Sequence, residues 1–134
     1  MTDPFSLPSF SFPKDFIWGS ATAGHQIEGN NVHSAWWEYE KEEHAKDPSF
    51  DLSGMACNSY QMYEEDNKIL STLHHNTYRL GIEWSRIEPN EGDFRIEEVE
   101  HYIKIFESLK QKNIKICLTL QHVTFPNWFS KIGY

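Results

Sequence analysis

Two stretches of the chain alternate apolar and polar residues with a period of two. Tyr78, Leu80, Ile82 and Trp84 alternate with Arg79, Gly81, Glu83 and Ser85, and Ile114, Ile116, Leu118 and Leu120 with Lys115, Cys117, Thr119 and Gln121. Both read as strands with one apolar and one polar face. Each follows a helical pattern. Tyr60, Tyr63, Leu70 and Leu73 share one face of a helix that begins at Asn58, a candidate N-cap, and ends near His74 and His75. Residues 96–110 place Val99, Tyr102, Ile103, Phe106 and Leu109 on a second helical stripe, which Asn113 terminates. An earlier strand is predicted over 16–23, after an aromatic, proline-containing arm (1–12). Residues 24–57 are polar and irregular and predict a long loop with room for one short helix. Loops of that length usually bind something or cover something.

The order is strand, long loop, helix, strand, helix, strand, which predicts an α/β fold with parallel strands. A parallel sheet covered on both faces should have strands that are apolar throughout. These carry Arg79, Glu83, Lys115 and Thr119 on their second face. Two readings stay open on periodicity alone: staves of a barrel with a polar interior at one end, or edge strands with one solvated face.

Composition narrows the function. The 134 residues suit one domain, and 39% hydrophobic with 24% charged residues describe a globular chain. Twelve basic against twenty acidic residues give a formal charge of −8, which argues against nucleic acid or an anionic membrane surface as partner. No apolar run approaches the roughly 18 residues of a membrane-spanning helix. Residues 1–13 hold Asp3, several prolines and no Lys or Arg, unlike a signal peptide. Cys57 and Cys117 fit no metal spacing and read as free thiols in a reducing, cytoplasmic compartment. The seven histidines, His25, His33, His44, His74, His75, His101 and His122, form no chelating pair. Neither a metal nor another cofactor is expected.

Four segments in one register carry a resemblance. Residues 12–23, FPKDFIWGSATA, with His25-Gln26-Ile27-Glu28-Gly29 after them, closely resemble the N-terminal signature of family 1 glycoside hydrolases, the β-glucosidases, β-galactosidases and 6-phospho-β-glycosidases. Tyr63-Glu64-Glu65-Asp66 resembles that family's first helix, and Tyr78-Arg79-Leu80-Gly81-Ile82-Glu83-Trp84-Ser85-Arg86-Ile87 its second strand. Leu118-Thr119-Leu120-Gln121-His122, with Pro126 and Trp128-Phe129, resembles the third strand and the loop beyond it. The resemblance implies the N-terminal part, about three βα units, of a TIM (β/α)8 barrel, with residues 1–134 one partial barrel and the site at the C-terminal strand ends.

The resemblance also implies roles. Gln26 matches a glutamine that hydrogen-bonds sugar hydroxyls, for which an amide that both donates and accepts is suited; without the family it reads as an ordinary loop residue. His122 matches a histidine on the same sugar ring, against the reading of a histidine on an apolar strand. Strict alternation would turn His122 away from the interior, so a bulge or strand end must precede it. Arg79 matches an arginine beside the catalytic nucleophile, where its charge would keep a carboxylate ionised; the alternative is an ion pair with Glu83. Trp36 and Trp37 form a stacking platform or seal the barrel mouth, to which Trp128 also belongs. Val123 stands where relatives carry Trp or Phe, and Gly81 where Ser is common, which alters the pocket.

The family's catalytic carboxylates lie in an Asn-Glu-Pro and a Glu-Asn-Gly-type segment, and neither occurs in residues 1–134. Glu28, Glu38 and Glu83 are the carboxylates expected near the site, and none matches a catalytic position. The resemblance therefore implies a fragment of a retaining β-glycosidase that carries part of the sugar subsite, with the acid/base and nucleophile beyond Tyr134. The alternative is an inactive sugar-binding or self-assembling module. Expected partners are a β-glycoside or sugar, the missing remainder of the barrel and, through open sheet edges, further copies of the chain. The isolated chain is thus expected to be weakly stable or to self-associate; a sharp, reversible thermal transition of a monomer at low concentration would contradict this.

Overall fold

The computed structural model describes residues 9–133; the expectations for the first eight residues of the arm and for Tyr134 lie outside them. Three short strands, β1 (Gly19–Ala21), β2 (Thr77–Gly81) and β3 (Lys115–Thr119), form a parallel sheet in that order. Gly19 pairs with Thr77, and Thr77 with Lys115 on its other side. β2 is therefore central, so its polar face belongs to an interior strand and the edge-strand reading fails for it. β1 is fastened at its start by Asn76, whose side chain accepts from the N–H of Trp18 (2.9 Å) and donates to the carbonyl of Phe16 (2.8 Å).

The helices are α1 (Gly24–Ile27), α2 (Ala35–Lys46), α3 (Ser59–Thr72), α4 (Trp84–Ile87), α5 (Ile96–Gln111) and α6 (Asn127–Ser130). The core lies where α3 and α5 meet the sheet: Leu70 from α3, Tyr78 and Leu80 from β2, Tyr102, Ile105 and Leu109 from α5, and Ile114 before β3. Buried Asn67 joins the two helices by donating to Ser108 Oγ (3.1 Å), and Ser108 in turn donates to Glu64 (2.8 Å). A buried amide needs such partners, and each fixes the rotation of α3 against α5.

Several details differ from the expectation. The connection over 24–57 holds two helices, one of them the three-turn α2. Ser34 caps α2 by accepting the N–H of Trp37 (3.1 Å), Glu38 lies in its first turn and His44 and Lys46 in its last, all favourable to the helix dipole. Its apolar residues Trp36, Trp37 and Tyr39 are bunched rather than spaced, so no periodic stripe announces it. Asn58 precedes α3 but makes no side-chain cap, and its φ of 54° is left-handed. β2 ends at Gly81, and Trp84 lies on α4 instead of continuing the strand. On α5 the covered face is Tyr102, Ile105, Ser108 and Leu109, whereas Val99 and Ile103 of the expected stripe are 36% and 46% exposed. The stripe is turned because Ser108, polar by type, is recruited by Asn67. On β3 the expected apolar face is open at Leu118 (42% exposed), and beyond the strand at Leu120 (68%).

Leu109 is fully buried and Ile103 is not. Leu109→Ala is expected to cost about 2–5 kcal/mol of stability, and Ile103→Ala less than about 1 kcal/mol. Urea unfolding followed by far-ultraviolet dichroism measures both; equal losses would contradict the assigned core.

Candidate functional site

At the carboxyl ends of β1 and β3 a cavity of about 120 Å³ is lined by Ala23, His25, Gln26, Trp36, His122, Val123 and Thr124. It draws together three residues singled out in the sequence, Gln26, His122 and Trp36, from segments far apart in the chain. Gln26 is placed by α1, which starts directly after the small residues that close β1. Trp36 enters from the first turn of α2 with its side chain partly in solvent.

His122 reaches the cavity because β3 stops at Thr119 and the chain turns. Val123 adopts a φ of 66°, and His122 and Thr124 form a small antiparallel bridge, the Thr124 N–H donating to the His122 carbonyl (2.7 Å). The strand end required by alternation is present. A β-branched residue with positive φ is strained, and such positions tend to gather at functional sites.

The other singled-out residues stand elsewhere. Trp37 is half-buried outside the cavity lining. Trp128 does not line the cavity either; its indole N–H donates to the Glu88 carbonyl (2.9 Å) and its ring lies edge-on to Trp84. Arg79 is half-buried on β2, and among the described residues its side chain has neither an ion pair nor a hydrogen bond, so the alternative pairing with Glu83 does not form. Glu38 pairs with Lys41 on the surface of α2 (2.9 Å).

Glu28 and Glu83 are buried just beneath the cavity, 5% and 4% exposed. The Glu83 carboxylate accepts from the His25 N–H (3.0 Å), the Asn31 amide (2.8 Å) and the Thr124 hydroxyl (2.8 Å). Its backbone N–H donates to the phenol oxygen of Tyr102 (3.0 Å), and that hydroxyl donates to Glu28 (3.0 Å). Glu28 also pairs with Arg86 (2.7 Å), which donates to the Gly29 carbonyl as well and lies 4.4 Å over the Tyr60 ring. Gly29 needs its φ of 82° and its missing side chain, since a Cβ would lie 2.2 Å from the Met55 carbonyl oxygen. Burial pushes the Glu28 pKa up to about 7; Arg86 opposes this and the Glu83 charge adds to it.

Sequence reasoning missed the supports of this network. His25 pairs with Glu40 (2.9 Å), and Ser53 donates to Glu40 through both its hydroxyl (2.6 Å) and its N–H (2.9 Å). Burial works against charge on Glu40, but the hydrogen bonds from Ser53 and His25 outweigh it and hold the pKa below the usual carboxylate range. No periodicity marks Asn31, Glu40 or Ser53; the density of polar residues in 24–57 is the only sequence signal. No group of three His, Cys, Asp or Glu among the described residues could hold a metal ion. No helix among them is long and apolar enough to cross a membrane.

Comparison with known proteins gives a consistent picture. The family profile described as glycosyl hydrolase family 1 matches residues 9–134. The 6-phospho-beta-glucosidase GmuD of Bacillus subtilis (strain 168) is 34% identical, over 92% of this chain and 28% of its own length. Beta-glucosidase A of Acetivibrio thermocellus is 35% identical, over 90% of this chain and 28% of its own. Among solved structures, the beta-glycosidase from Pyrococcus horikoshii superposes with a TM-score of 0.83 at 40% identity, over 91% of this chain and 28% of that one. The chain thus spans little more than a quarter of these relatives. Its parallel strands and helices are those of the N-terminal part of a TIM barrel.

The raised pKa of Glu28 has a consequence for stability. The folded chain holds the Glu28 proton up to about pH 7, while the unfolded chain loses it near pH 4.5. This contribution is therefore complete below about pH 4.5 and is lost as pH rises through about 7, a change of up to roughly 3 kcal/mol. Glu28→Gln should remove it, so that wild-type stability relative to the variant declines from pH 4.5 to 7 in urea titrations; a constant difference would contradict the assignment.

Proposed function

Because this chain belongs to glycosyl hydrolase family 1, we propose that it supplies part of the sugar-holding subsite of a retaining β-glycosidase acting on O-linked β-glycosides. The observation that carries this reading is the cavity shared by Gln26, His122 and Trp36. The Gln26 amide both donates to and accepts from sugar hydroxyls, the His122 imidazole adds a second polar contact, and the Trp36 indole offers an apolar face for the ring.

Retention of configuration needs two carboxyl groups about 5 to 5.5 Å apart. In this reading they come from later βα units of the barrel. Glu28 and Glu83 are already engaged by Arg86, Tyr102, Asn31, Thr124 and the His25 backbone. Arg79, with no partner among the described residues, is the group that would stand beside the nucleophile and favour its ionised form. The nucleophile attacks the anomeric carbon as the acid protonates the leaving oxygen; water then hydrolyses the glycosyl-enzyme with the acid now acting as base.

Partners in this proposal are the β-glycoside and the remaining barrel strands, which would pair with the outer edges of β1 and β3; without them a second copy takes that place. The two exposed free thiols, Cys57 and Cys117, support a cytoplasmic, reducing setting. One observation favours a second reading, a module that binds sugar without turning it over: Glu28, Glu40 and Glu83 are all spent on internal contacts.

Titration of the chain with methyl β-D-glucoside, followed by nuclear magnetic resonance, tests the proposal. The side chains of Gln26 and His122 should shift together with saturation, and Gln26→Ala and His122→Ala should each weaken binding by about tenfold. Unmoved resonances at both positions would overturn it. A chromogenic β-glucoside should not be cleaved by residues 1–134 alone; cleavage abolished by Glu28→Gln or Glu83→Gln would overturn the assignment of these two as internal.

A further inference from the structure

Gln26 and His122 line the cavity from different loops, and among the described residues no side-chain hydrogen bond of either joins the two loops. Gln26 belongs to α1 after β1, and His122 to the turn after β3. Both loops are nevertheless tied to one group on the intervening unit. The Glu83 carboxylate accepts the backbone N–H of His25, the residue directly before Gln26, at 3.0 Å. It accepts the hydroxyl of Thr124, whose oxygen lies 2.8 and 3.1 Å from the two carboxylate oxygens and whose backbone is bridged to His122. The Asn31 amide completes the set at 2.8 Å.

From this arrangement we infer that Glu83 is a positioning residue: it clamps the β1 and β3 loops and thereby sets the spacing of Gln26 and His122 on the sugar. The inference rests on the proposed sugar site. Three features support it. Glu83 is 4% exposed and forms no ion pair among the described residues, so its charge is balanced by directed hydrogen bonds alone. Directed bonds fix geometry in a way that a point charge does not. Second, the backbone makes room for the clamp: a Cβ at Gly24 would lie 2.5 Å from Glu83 Oε1, so no other residue fits there without moving the carboxylate. Third, the clamp has its own anchor, because the Glu83 N–H donates to the Tyr102 phenol on α5 (3.0 Å). The β2 end is thus held against the outer helix while its side chain holds the two loops. A neutral amide at position 83 keeps the shape but turns an N–H toward the N–H of Asn31, which opens one bond of the set.

Thr124 gives the test its handle. Thr124→Val removes the hydroxyl at nearly constant volume, and Thr124→Ser restores it. In the full chain without ligand, the nuclear Overhauser contacts that fix the Gln26 side chain relative to the His122 ring should weaken in Thr124→Val and largely return in Thr124→Ser. Affinity for methyl β-D-glucoside should drop by about tenfold in the valine variant and recover most of that in serine. Glu83→Gln, which leaves the cavity lining untouched, should reproduce the valine result and keeps the test decisive if that variant does not fold. A group that only stabilises the fold would lower the melting temperature and leave both readouts where they were; that result overturns the clamp. Wild-type chain that binds no glucoside, with the ligand-free contacts still lost in the variants, defeats the sugar reading and leaves the clamp standing.

Discussion

An ionised carboxylate taken out of water loses solvation worth several kcal/mol, and it is tolerated only where directed donors replace that water. At the carboxyl ends of these strands two carboxylates, Glu28 and Glu83, are enclosed together and joined through a single phenol, that of Tyr102. The two solve the problem differently. Glu28 takes a guanidinium and lies where its proton is easily regained, whereas Glu83 takes three neutral donors. The partners come from four segments, the 24–57 connection, α4, α5 and the turn after β3, so satisfying the carboxylates and arranging the loops above them are one and the same event.

The sheet beneath follows a related logic. Its core side is closed by α3 and α5 around Leu70, Tyr78, Leu80, Tyr102, Ile105, Leu109 and Ile114. Its other side presents polar groups on a central strand, which is what a barrel interior needs near its reactive end. At the edge, Leu118 and the nearby Leu120 lie in the open, which suits further strands and helices of the barrel.

Much of this was legible in the sequence, and the limits have physical causes. β2 and the two long helices show through period because each has one face in the core: Tyr78 and Leu80 alternate with Arg79, and Tyr102 and Leu109 recur a helical repeat apart, whereas β1, exposed at all three residues, has no such period. α2 does not, because it is held by its Ser34 cap and by aromatic contacts at one end rather than by a continuous stripe. The turn of α5 by one position was hidden because Ser108 is buried only through its bond to Asn67, a pairing that no local pattern encodes. Of the residues that line the cavity, Gln26 and His122 were marked in the sequence by motif, and Trp36 by its aromatic character. Thr124, Asn31 and the clamp at Glu83 were invisible, since they are defined by what lies across from them.

Arg86 is held at three points: the Glu28 carboxylate, the Gly29 carbonyl and the face of Tyr60. A guanidinium serves all three because its donors fan out in one plane while its flat face stays free for the ring. A lysine would carry the same charge to the same place and could not divide it so. Charge conservation is therefore the wrong measure of interchangeability at this position; what is kept there is a shape with directions, and the electrostatics come along with it.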